Sequence, residues 1–302
     1  MTDIPQAQPL SEPAELIARF LETSRRTVRE VLPLIMKALE APRREACTKR
    51  DGSLVTAIDH EVERTFLGAF GRALPATPIV AEEAEAERAN TFQGNPRDFY
   101  AHAFQAPYFI SIDPLDGTRN FVDGCREFCV AAAFVGRRGD GVWPLASLVA
   151  IPTEGIMMWT DGVGVYREEI ESGQLSAFVR AETDSLKLSV SSADRRWLEA
   201  EHIKLVRPWV SSGSSVFDMT GTIGGRLAGS VIGAQRLWDV MAPLALAGHV
   251  GVTLRDLRSG EEVWSLTPED LSADLAQRPW GLDRKFILAP AQRPASELIA
   301  FS

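Results

Sequence analysis

The feature that most constrains the fold is a segment near the middle of the chain, where an apolar run ends abruptly in carboxylates. Residues 109–121 read FISIDPLDGTRNF. The run from Phe109 to Ile112 is typical of a buried strand, and the polar residues after it predict a strand that leaves the core and opens a helix at its exposed end. Pro114 stiffens this turn, and Gly117 permits backbone angles that are closed to other residues. Side chains and main-chain groups can therefore converge on one point there.

Asp113 and Asp116 in this turn are a candidate metal site. Their carboxylates, and the Leu115 carbonyl between them, are the oxygen ligands that Mg²⁺ or Ca²⁺ prefers. The amides of Gly117 and Thr118, at the start of the predicted helix, favour an anion such as phosphate. For an isolated Asp-x-x-Asp-Gly motif, a tight turn whose aspartates cap a helix is the simpler interpretation. Matching acidic residues elsewhere in the chain weigh against that interpretation.

A second alternative for this turn is the Asp-x-Asp-Gly-Thr loop of phosphatases in which the first aspartate attacks phosphorus. In this chain two residues, Pro114 and Leu115, separate the acids, whereas that loop has one. The spacing therefore favours a metal-activated water over a covalent aspartyl intermediate.

The composition of the whole chain sets broad limits. A chain of 302 residues that is 45% hydrophobic is long enough for a large core, in two subdomains or one large layered unit. Its net charge of −9 argues against a nucleic-acid backbone or an anionic membrane as the main partner, so an anionic phosphate needs metal ions to invert the local field. Residues 1–9 lack the pattern of a secretory signal. No apolar run approaches the roughly 20 residues of a membrane span. The cysteines form no disulfide framework. We therefore expect a cytoplasmic protein.

Two further aspartates stand at predicted helix starts. Asp59 precedes an amphipathic segment, and Asp239 follows Trp238 at the beginning of another. For each of them alone, a capping role is the usual interpretation. A capping carboxylate can still hold a hydroxyl.

Four glutamates follow the predicted buried strand Ile79-Val80. Glu82 and Glu83 come directly after it, at the place where open α/β sheets put ligand groups. Glu85 and Glu87 lie further on and are predicted to occupy a solvated helix face. Glu82 and Glu83 are therefore the candidate site residues of this run.

The order of segments predicts an α/β (α+β) protein with two subdomains. Residues 1–180 read as helices followed by antiparallel strands and carry most of the candidate ligands, and residues 181–302 alternate helices and strands, contribute Asp239 and supply the substrate pocket. Residues 90–106 are predicted to be an irregular surface excursion, because Gly94-Asn95-Pro96 breaks any period. Ser214 lies in a serine-rich helix start that is a pocket candidate, although a simple capped start is equally consistent.

Four segments in this order resemble the inositol monophosphatase family of metal-dependent, lithium-sensitive phosphatases. They are 51–59 (DGSLVTAID), Glu82-Glu83, 113–121 (DPLDGTRNF), and Trp238-Asp239 with Ala247-Gly248 beyond. The resemblance implies a layered αβαβα sandwich, usually a homodimer. It also implies Mg²⁺-dependent hydrolysis of the phosphate monoester of a small polyol or sugar, a phosphorylated metabolite.

Site roles follow from the resemblance residue by residue. A first metal is held by Glu82, Asp113 and the Leu115 carbonyl, a second by Asp113, Asp116 and Asp239, and a weaker third by Glu82. The attacking water is oriented or deprotonated by Thr118, paired with Asp59, and by Glu83. The amides of Gly117 and Thr118 receive the phosphate. The implied cofactor is thus two or three Mg²⁺ ions in each active site.

One departure from the family pattern affects the substrate. Inositol-specific members carry an acidic residue shortly before the Trp-Asp pair, whereas residues 232–237 here read IGAQRL. This argues against inositol phosphate itself, and Arg236, a second pocket candidate, favours an additional anionic group. Histidinol phosphate and 3′-phosphoadenosine 5′-phosphate are therefore alternative substrates. A non-catalytic regulatory protein that binds metal and phosphate is the alternative of another class.

Overall fold

Two large β-sheets carry the fold, and helices pack against both faces of each. The computed structural model describes residues 12–42, 44–181 and 185–301. Its α-helices are α1 (Glu12–Leu39), α2 (Ala57–Ala73), α3 (Glu82–Thr91), α4 (Pro96–Phe104), α5 (Thr118–Asp123), α6 (Ser192–Ala200), α7 (Ser215–Gly224) and α8 (Leu237–Ala247). Its strands are β1 (Cys47–Thr48), β2 (Leu54–Val55), β3 (Ile79–Ala81), β4 (Tyr108–Asp116), β5 (Cys129–Arg138), β6 (Gly141–Ile151), β7 (Ile156–Thr160), β8 (Val165–Glu169), β9 (Leu175–Ala177), β10 (Leu188–Ser189), β11 (Ile203–Leu205), β12 (Trp209–Val210), β13 (Gly229–Ile232), β14 (Val252–Asp256), β15 (Phe286–Pro290) and β16 (Ile299–Phe301).

The first large sheet has seven strands in the order β3-β4-β5-β6-β7-β8-β9. β3 pairs with β4 in parallel, and the other neighbours are antiparallel. Its central strands are buried on both faces, which explains their almost continuous apolar sequence. Along β4, Ile110 belongs to the core shared with Phe20 and Phe66 of α1 and α2, whereas Phe109 belongs to the core shared with Met241 of α8.

The second large sheet has five strands in the order β12-β10-β13-β15-β14. Helices α7 and α8 pack between the two large sheets, since α8 contacts β4, β5 and β6 on one side and β14 on the other. On the far face, Leu198 of α6 packs in a core with Val231 and Ile287. The layers are therefore α1 with α2, a sheet, α7 with α8, a sheet, and α6. This confirms the predicted αβαβα sandwich.

Residues 90–106 are not an irregular excursion, and that prediction is wrong. α3 continues to Thr91, and α4 begins at Pro96 with Asn95 as its N-cap. Asparagine at the N-cap and proline at the first helical position are helix-start signals, although the same residues also break a helix. α4 then packs against the rest of the protein, because Phe99 and Tyr100 are fully buried beside Trp280.

The predicted division at residue 180 falls between the two large sheets. Along the chain, the first sheet ends with β9 and the second begins with β10. Residues 182–184 between these strands, and residues 1–9, lie outside the described part of the chain. The division into subdomains stays a prediction. Within the described ranges, the structure contains no helix whose length and apolar character would let it span a membrane.

Candidate active site

The turn between β4 and α5 brings the central acidic residues to the end of the strand. Pairing of β4 with β5 is irregular between Asp113 and Asp116, where Pro114 cannot donate to the ladder. Gly117 follows with φ of 94°, in the left-handed region. A Cβ at this position would lie only 3.0 Å from the Cβ of Ser214. The turn therefore requires glycine for both its conformation and its close packing.

Three carboxylates converge at this turn. Asp113, Asp116 and Asp239 each place a carboxylate oxygen within 4.8 Å of the others. Asp239 comes from the first turn of α8, so the second half of the chain contributes to the site. Glu82 and Leu115 line the same cavity, which has a volume of about 260 Å³. The structure thus places every predicted metal ligand around one cavity.

Burial and like charge raise the pKa of all three aspartates. For Asp113, burial and the charges of Glu82 and Asp116 raise the pKa well above its usual range. Burial and the charge of Asp239 raise the pKa of Asp116 to about 8. Burial raises the pKa of Asp239 itself to about 6. A divalent cation would relieve this repulsion, and an all-oxygen set of donors suits Mg²⁺, so these residues fit the metal that the family resemblance implies.

Ser214, a predicted pocket residue, is fully buried and holds one of these carboxylates. Its hydroxyl donates a hydrogen bond to Asp116, and its oxygen also accepts the Phe217 amide at 3.1 Å as the N-cap of α7. The amide of Val216 donates to the same Asp116 oxygen at 2.9 Å. Ser214 is therefore both a helix cap and a support for Asp116.

Asp59 has a capping role at α2, as part of its capping box, but it does not occupy the N-cap position. Thr56 is the N-cap, and Asp59 lies in the first turn, where its Oδ2 accepts the Thr56 amide at 2.8 Å. The Asp59 Oδ1 accepts a hydrogen bond from the Thr118 hydroxyl at 2.8 Å, so the predicted pairing of these two residues is present. Burial raises the pKa of Asp59, against the hydrogen bonds from Thr56 and Thr118 that lower it.

Glu82 and Glu83 open α3 directly after β3, and a lysine joins them. The Lys49 Nζ lies 2.7 Å from an oxygen of Glu82 and 2.6 Å from an oxygen of Glu83. Burial alone would lower the pKa of Lys49, but the two carboxylates outweigh it and raise that pKa. Burial and the charge of Glu82 raise the pKa of Glu83 to about 8. Sequence reasoning missed Lys49, whose only signal is a basic pair just before the Asp51-Gly52 turn.

Glu63 of α2 is a second residue that sequence reasoning missed. Its two carboxylate oxygens accept the amides of Glu83 and Ala84, each at 2.8 Å. Burial raises the pKa of Glu63 to about 7, although these hydrogen bonds lower it. The sequence signal that could have identified Glu63 is its position one helical turn after Asp59. This spacing places both side chains on the same face of α2.

Glu85 does not lie on a solvated helix face, and that prediction is wrong. Glu85 is 4% exposed and accepts a hydrogen bond from the Trp280 indole N–H at 2.8 Å. Arg88 and His102 also contact its carboxylate, and these partners together lower the pKa of Glu85 against the effect of burial. Glu87 is exposed, as predicted. Glu85 therefore joins Glu82 and Glu83 as a residue of the acidic run with a distant partner that its sequence does not reveal.

Arg236, the other predicted pocket residue, lines the metal cavity and forms an ion pair with Asp51. A second cavity of about 230 Å³ adjoins the first at Gly213. It is lined mostly by serine hydroxyls, with Asp218 and Gln235, and its described lining includes no lysine or arginine. The site thus consists of an acidic cavity beside a hydroxyl-rich one, whose described lining has one carboxylate, Asp218, and no basic side chain.

Known proteins show the same fold. An inositol-1-monophosphatase from Bacillus subtilis (strain 168) is 23% identical over 236 residues, which cover 77% of this chain and 83% of that protein. The solved structure of an IMPase from Thermotoga maritima superposes with a TM-score of 0.63 at 19% identity, covering 90% of this chain and 92% of the other. A structure described as an IMPase/NADP phosphatase complexed with Mg²⁺ and phosphate has a TM-score of 0.60 at 15% identity, covering 92% of each chain.

The similarity to this family extends over almost the whole chain. The family described as the inositol monophosphatase family matches residues 17–297, which include every acidic residue of the cavity. The segments that carry the resemblance are the ones that the fold brings together. This chain therefore belongs to the inositol monophosphatase family.

Proposed function

We propose that this protein is a Mg²⁺-dependent phosphomonoesterase that hydrolyses a small phosphorylated polyol or sugar. The observation that carries the proposal is the convergence of Asp113, Asp116 and Asp239, with carboxylate oxygens within 4.8 Å of one another, beside the Thr118–Asp59 pair. Such a set of desolvated like charges is costly unless a cation is bound, and it lies next to a hydroxyl that can take part in proton transfer.

The proposed metal ligands are Glu82, Asp113, the Leu115 carbonyl, Asp116 and Asp239, which would hold two or three Mg²⁺ ions. The related structure with Mg²⁺ and phosphate supports this choice of metal. Bound Mg²⁺ supplies Lewis-acid chemistry, in that it lowers the pKa of a coordinated water and neutralises charge on phosphoryl oxygens.

The chain's own residues supply the positioning and the proton transfer. The Thr118 hydroxyl donates to Asp59, so its oxygen lone pairs can accept a hydrogen bond from the attacking water. Asp59 is held in turn by the Thr56 amide and hydroxyl. Glu83, with a pKa raised to about 8, is the second candidate base. The amides of Gly117, the N-cap of α5, and of Thr118, its first residue, have no acceptor within that helix, which suits them to phosphate oxygens.

The hydroxyl-rich cavity supports a polyol or sugar as the leaving group. Its serine hydroxyls and Gln235 can both donate to and accept from substrate hydroxyls. A second phosphate would require a cation in the hydroxyl-rich cavity, whose described lining has a carboxylate, Asp218, instead. The acidic cavity has two arginines in its described lining, and of these Arg236 is already paired with Asp51, which leaves Arg119. The geometry therefore favours a neutral polyhydroxylated group over 3′-phosphoadenosine 5′-phosphate. Histidinol phosphate stays an alternative substrate, because the Asp218 carboxylate suits its ammonium group, although the described lining of the hydroxyl-rich cavity has no aromatic side chain for its imidazole.

Phosphate release from a substrate panel tests the proposal. The panel contains inositol, sugar, histidinol and adenosine phosphates, each assayed with Mg²⁺ and with EDTA. We expect release that requires Mg²⁺, is greatest for a polyol or sugar phosphate, and is lost in Asp116→Asn. Asp123→Asn, an exposed change in the same segment, is the matched control and should keep full activity. An Asp116→Asn variant as active as the wild type would contradict the mechanism, and metal binding without any release would favour the regulatory alternative.

Two further expectations rest on the family resemblance, and a third, the cytoplasmic location, rests on the composition of the chain. Lithium at millimolar concentration should inhibit phosphate release by occupying a metal position, and a flat response would count against this. Size-exclusion chromatography with light scattering should give the mass of a homodimer. Fractionation of cells should recover the protein in the cytoplasm.

A further inference from the structure

We propose that Glu63 is a positioning residue for the metal site, which fixes the first turn of α3 and thereby sets the backbone from which Glu82 and Glu83 extend. The inference rests on the proposed function, because it concerns the affinity of the site for Mg²⁺. Glu63 lines neither the acidic nor the serine-rich cavity, so its effect must pass through the helix that it holds.

The N-terminus of α3 lacks a cap of its own. Its N-cap is Ala81, whose methyl side chain cannot accept a hydrogen bond, and no side-chain cap bond is present there. The first amides of a helix have no intrahelical acceptor, and leaving them buried without one is costly. Glu63 accepts two of these amides, from Glu83 and Ala84, at 2.8 Å each. A carboxylate from another helix thus replaces the missing cap.

The interaction is directional and rigid. Glu63 is 4% exposed, and each of its oxygens takes one amide, so the carboxylate plane is fixed against the end of α3. A negative charge at the N-terminus of a helix is also favoured by the helix dipole. Loss of this contact frees the turn that bears Glu82, which lines the metal cavity, and Glu83, its neighbour.

α2 therefore contacts two parts of the site, the β4–α5 turn and the β3–α3 turn. Its first turn carries Asp59, which accepts the Thr118 hydroxyl at 2.8 Å beside the β4–α5 turn. Its next turn carries Glu63, which holds the β3–α3 turn. Pairing of β3 with β4 already places Ala81 opposite Ile112, and the two contacts from α2 add a second constraint on the spacing between the Asp113–Asp116 turn and Glu82. A metal site needs this spacing held closely, since outer residues that orient ligands commonly change metal affinity or activity about 10- to 100-fold.

The test compares Mg²⁺ binding by the full-length variants Glu63→Gln and Glu63→Ala with that of the wild type. Isothermal titration calorimetry on EDTA-stripped protein measures affinity without any substrate, and Tm of the metal-free proteins reports the fold. We expect Glu63→Ala to weaken Mg²⁺ binding by about 10-fold or more, and Glu63→Gln to weaken it less, because glutamine keeps one carbonyl acceptor for one of the two amides. Glu61→Gln on α2 and Glu87→Gln on α3 are exposed controls that should bind within about twofold of the wild type.

Each outcome decides between the alternatives. A simple structural cap predicts that Tm falls in both Glu63 variants while Mg²⁺ affinity stays that of the wild type, and this result would overturn the inference alone. Wild-type protein that binds no Mg²⁺ would contradict the proposed function and the inference with it. If Glu63→Ala fails to fold, the isosteric Glu63→Gln decides, and affinity equal to that of the wild type would again overturn the inference.

Discussion

Asp116 is the residue through which the charge repulsion in the cavity can be measured, because its pKa is strongly raised. Burial and Asp239 raise its pKa from 3.8 to about 8. Because the folded pKa lies above the unfolded one, the stabilising contribution of this group is complete below pH 3.8 and is lost as the pH rises through about 8. Protein without metal should therefore lose stability across this window.

We expect the Tm of EDTA-treated protein to fall as the pH rises from about 5 to about 9, and Asp116→Asn to show a smaller fall, because its amide does not ionise. Mg²⁺ should raise Tm more at the alkaline end than at the acid end, since the metal competes with protons for the carboxylates. Thermal denaturation across a buffer series measures both effects. Parallel pH profiles for wild type and Asp116→Asn would contradict the assignment.

Thr118 is the residue at which proton transfer can be separated from metal binding. Thr118→Ala removes the hydroxyl that donates to Asp59 at 2.8 Å but leaves the main chain of the turn in place. We expect kcat to fall by about 100-fold or more, as for the loss of other general acid–base groups, with little change in Mg²⁺ affinity. Thr118→Ser keeps the hydroxyl and should retain most of the activity in steady-state assays. Equal activity in the alanine and serine variants would exclude this role.

The residues that sequence reasoning could identify are those whose signal is local. Asp113 and Asp116 stand out because a strand, a proline and a glycine surround them within one short segment. Lys49, Glu63 and Glu85 carry no such signal, because each acquires its role from a partner on another element. Glu85 and Glu87 look alike in sequence, and only the fold shows that Trp280, far along the chain, reaches one of them.

At the scale of elements, Trp280 joins α4 to α3, because it contacts Tyr100 of α4 and Glu85 of α3. Trp280 packs against Tyr100 with ring centroids 4.8 Å apart and donates its indole N–H to Glu85 at 2.8 Å. Trp280→Phe keeps most of the apolar contact but leaves a buried carboxylate oxygen without this donor. We expect the free energy of unfolding to fall by about 1–3 kcal/mol, measured by chemical denaturation.

Trp264→Phe is the matched control for this prediction, because Trp264 is 41% exposed. It should change the free energy of unfolding by no more than about 0.5 kcal/mol. Equal stability of the two variants would show that the bond to Glu85 contributes nothing measurable.

The boundaries of α4 show why elements are harder to predict than motifs. Gly94, Asn95 and Pro96 are compatible with a loop and with a helix start, and the choice between them depends on whether the next residues become buried. Phe99 and Tyr100 become core residues partly through contact with Trp280, and that contact joins parts of the chain that are distant in sequence. The strands β4 to β8 could be predicted because buried strands and tight turns have strong local patterns.

At the scale of the whole molecule, the layered architecture brings acidic residues from distant positions to one place. The N-terminal part supplies Glu82 directly after β3 and Asp113 and Asp116 from the C-terminal end of β4, and α8, packed between the sheets, supplies Asp239. A chain with a net charge of −9 thereby concentrates negative charge in one buried cavity. The αβαβα class could be predicted from the order of segments and the family resemblance. Of the serine-rich cavity only the segment around Ser214 could be predicted, because the cavity forms where β10, α7 and β13 meet.

Crystals soaked in Mn²⁺, which takes the same oxygen ligands as Mg²⁺, allow the cations to be located by anomalous diffraction. This measurement tests the metal site most directly. We predict anomalous peaks between Asp113, Asp116 and Asp239, with Glu82 in the same coordination shell, and loss of a peak in Asp239→Asn. Crystals that bind Mn²⁺ elsewhere, or that hold none in this cavity at saturating concentration, would contradict the proposed metal site.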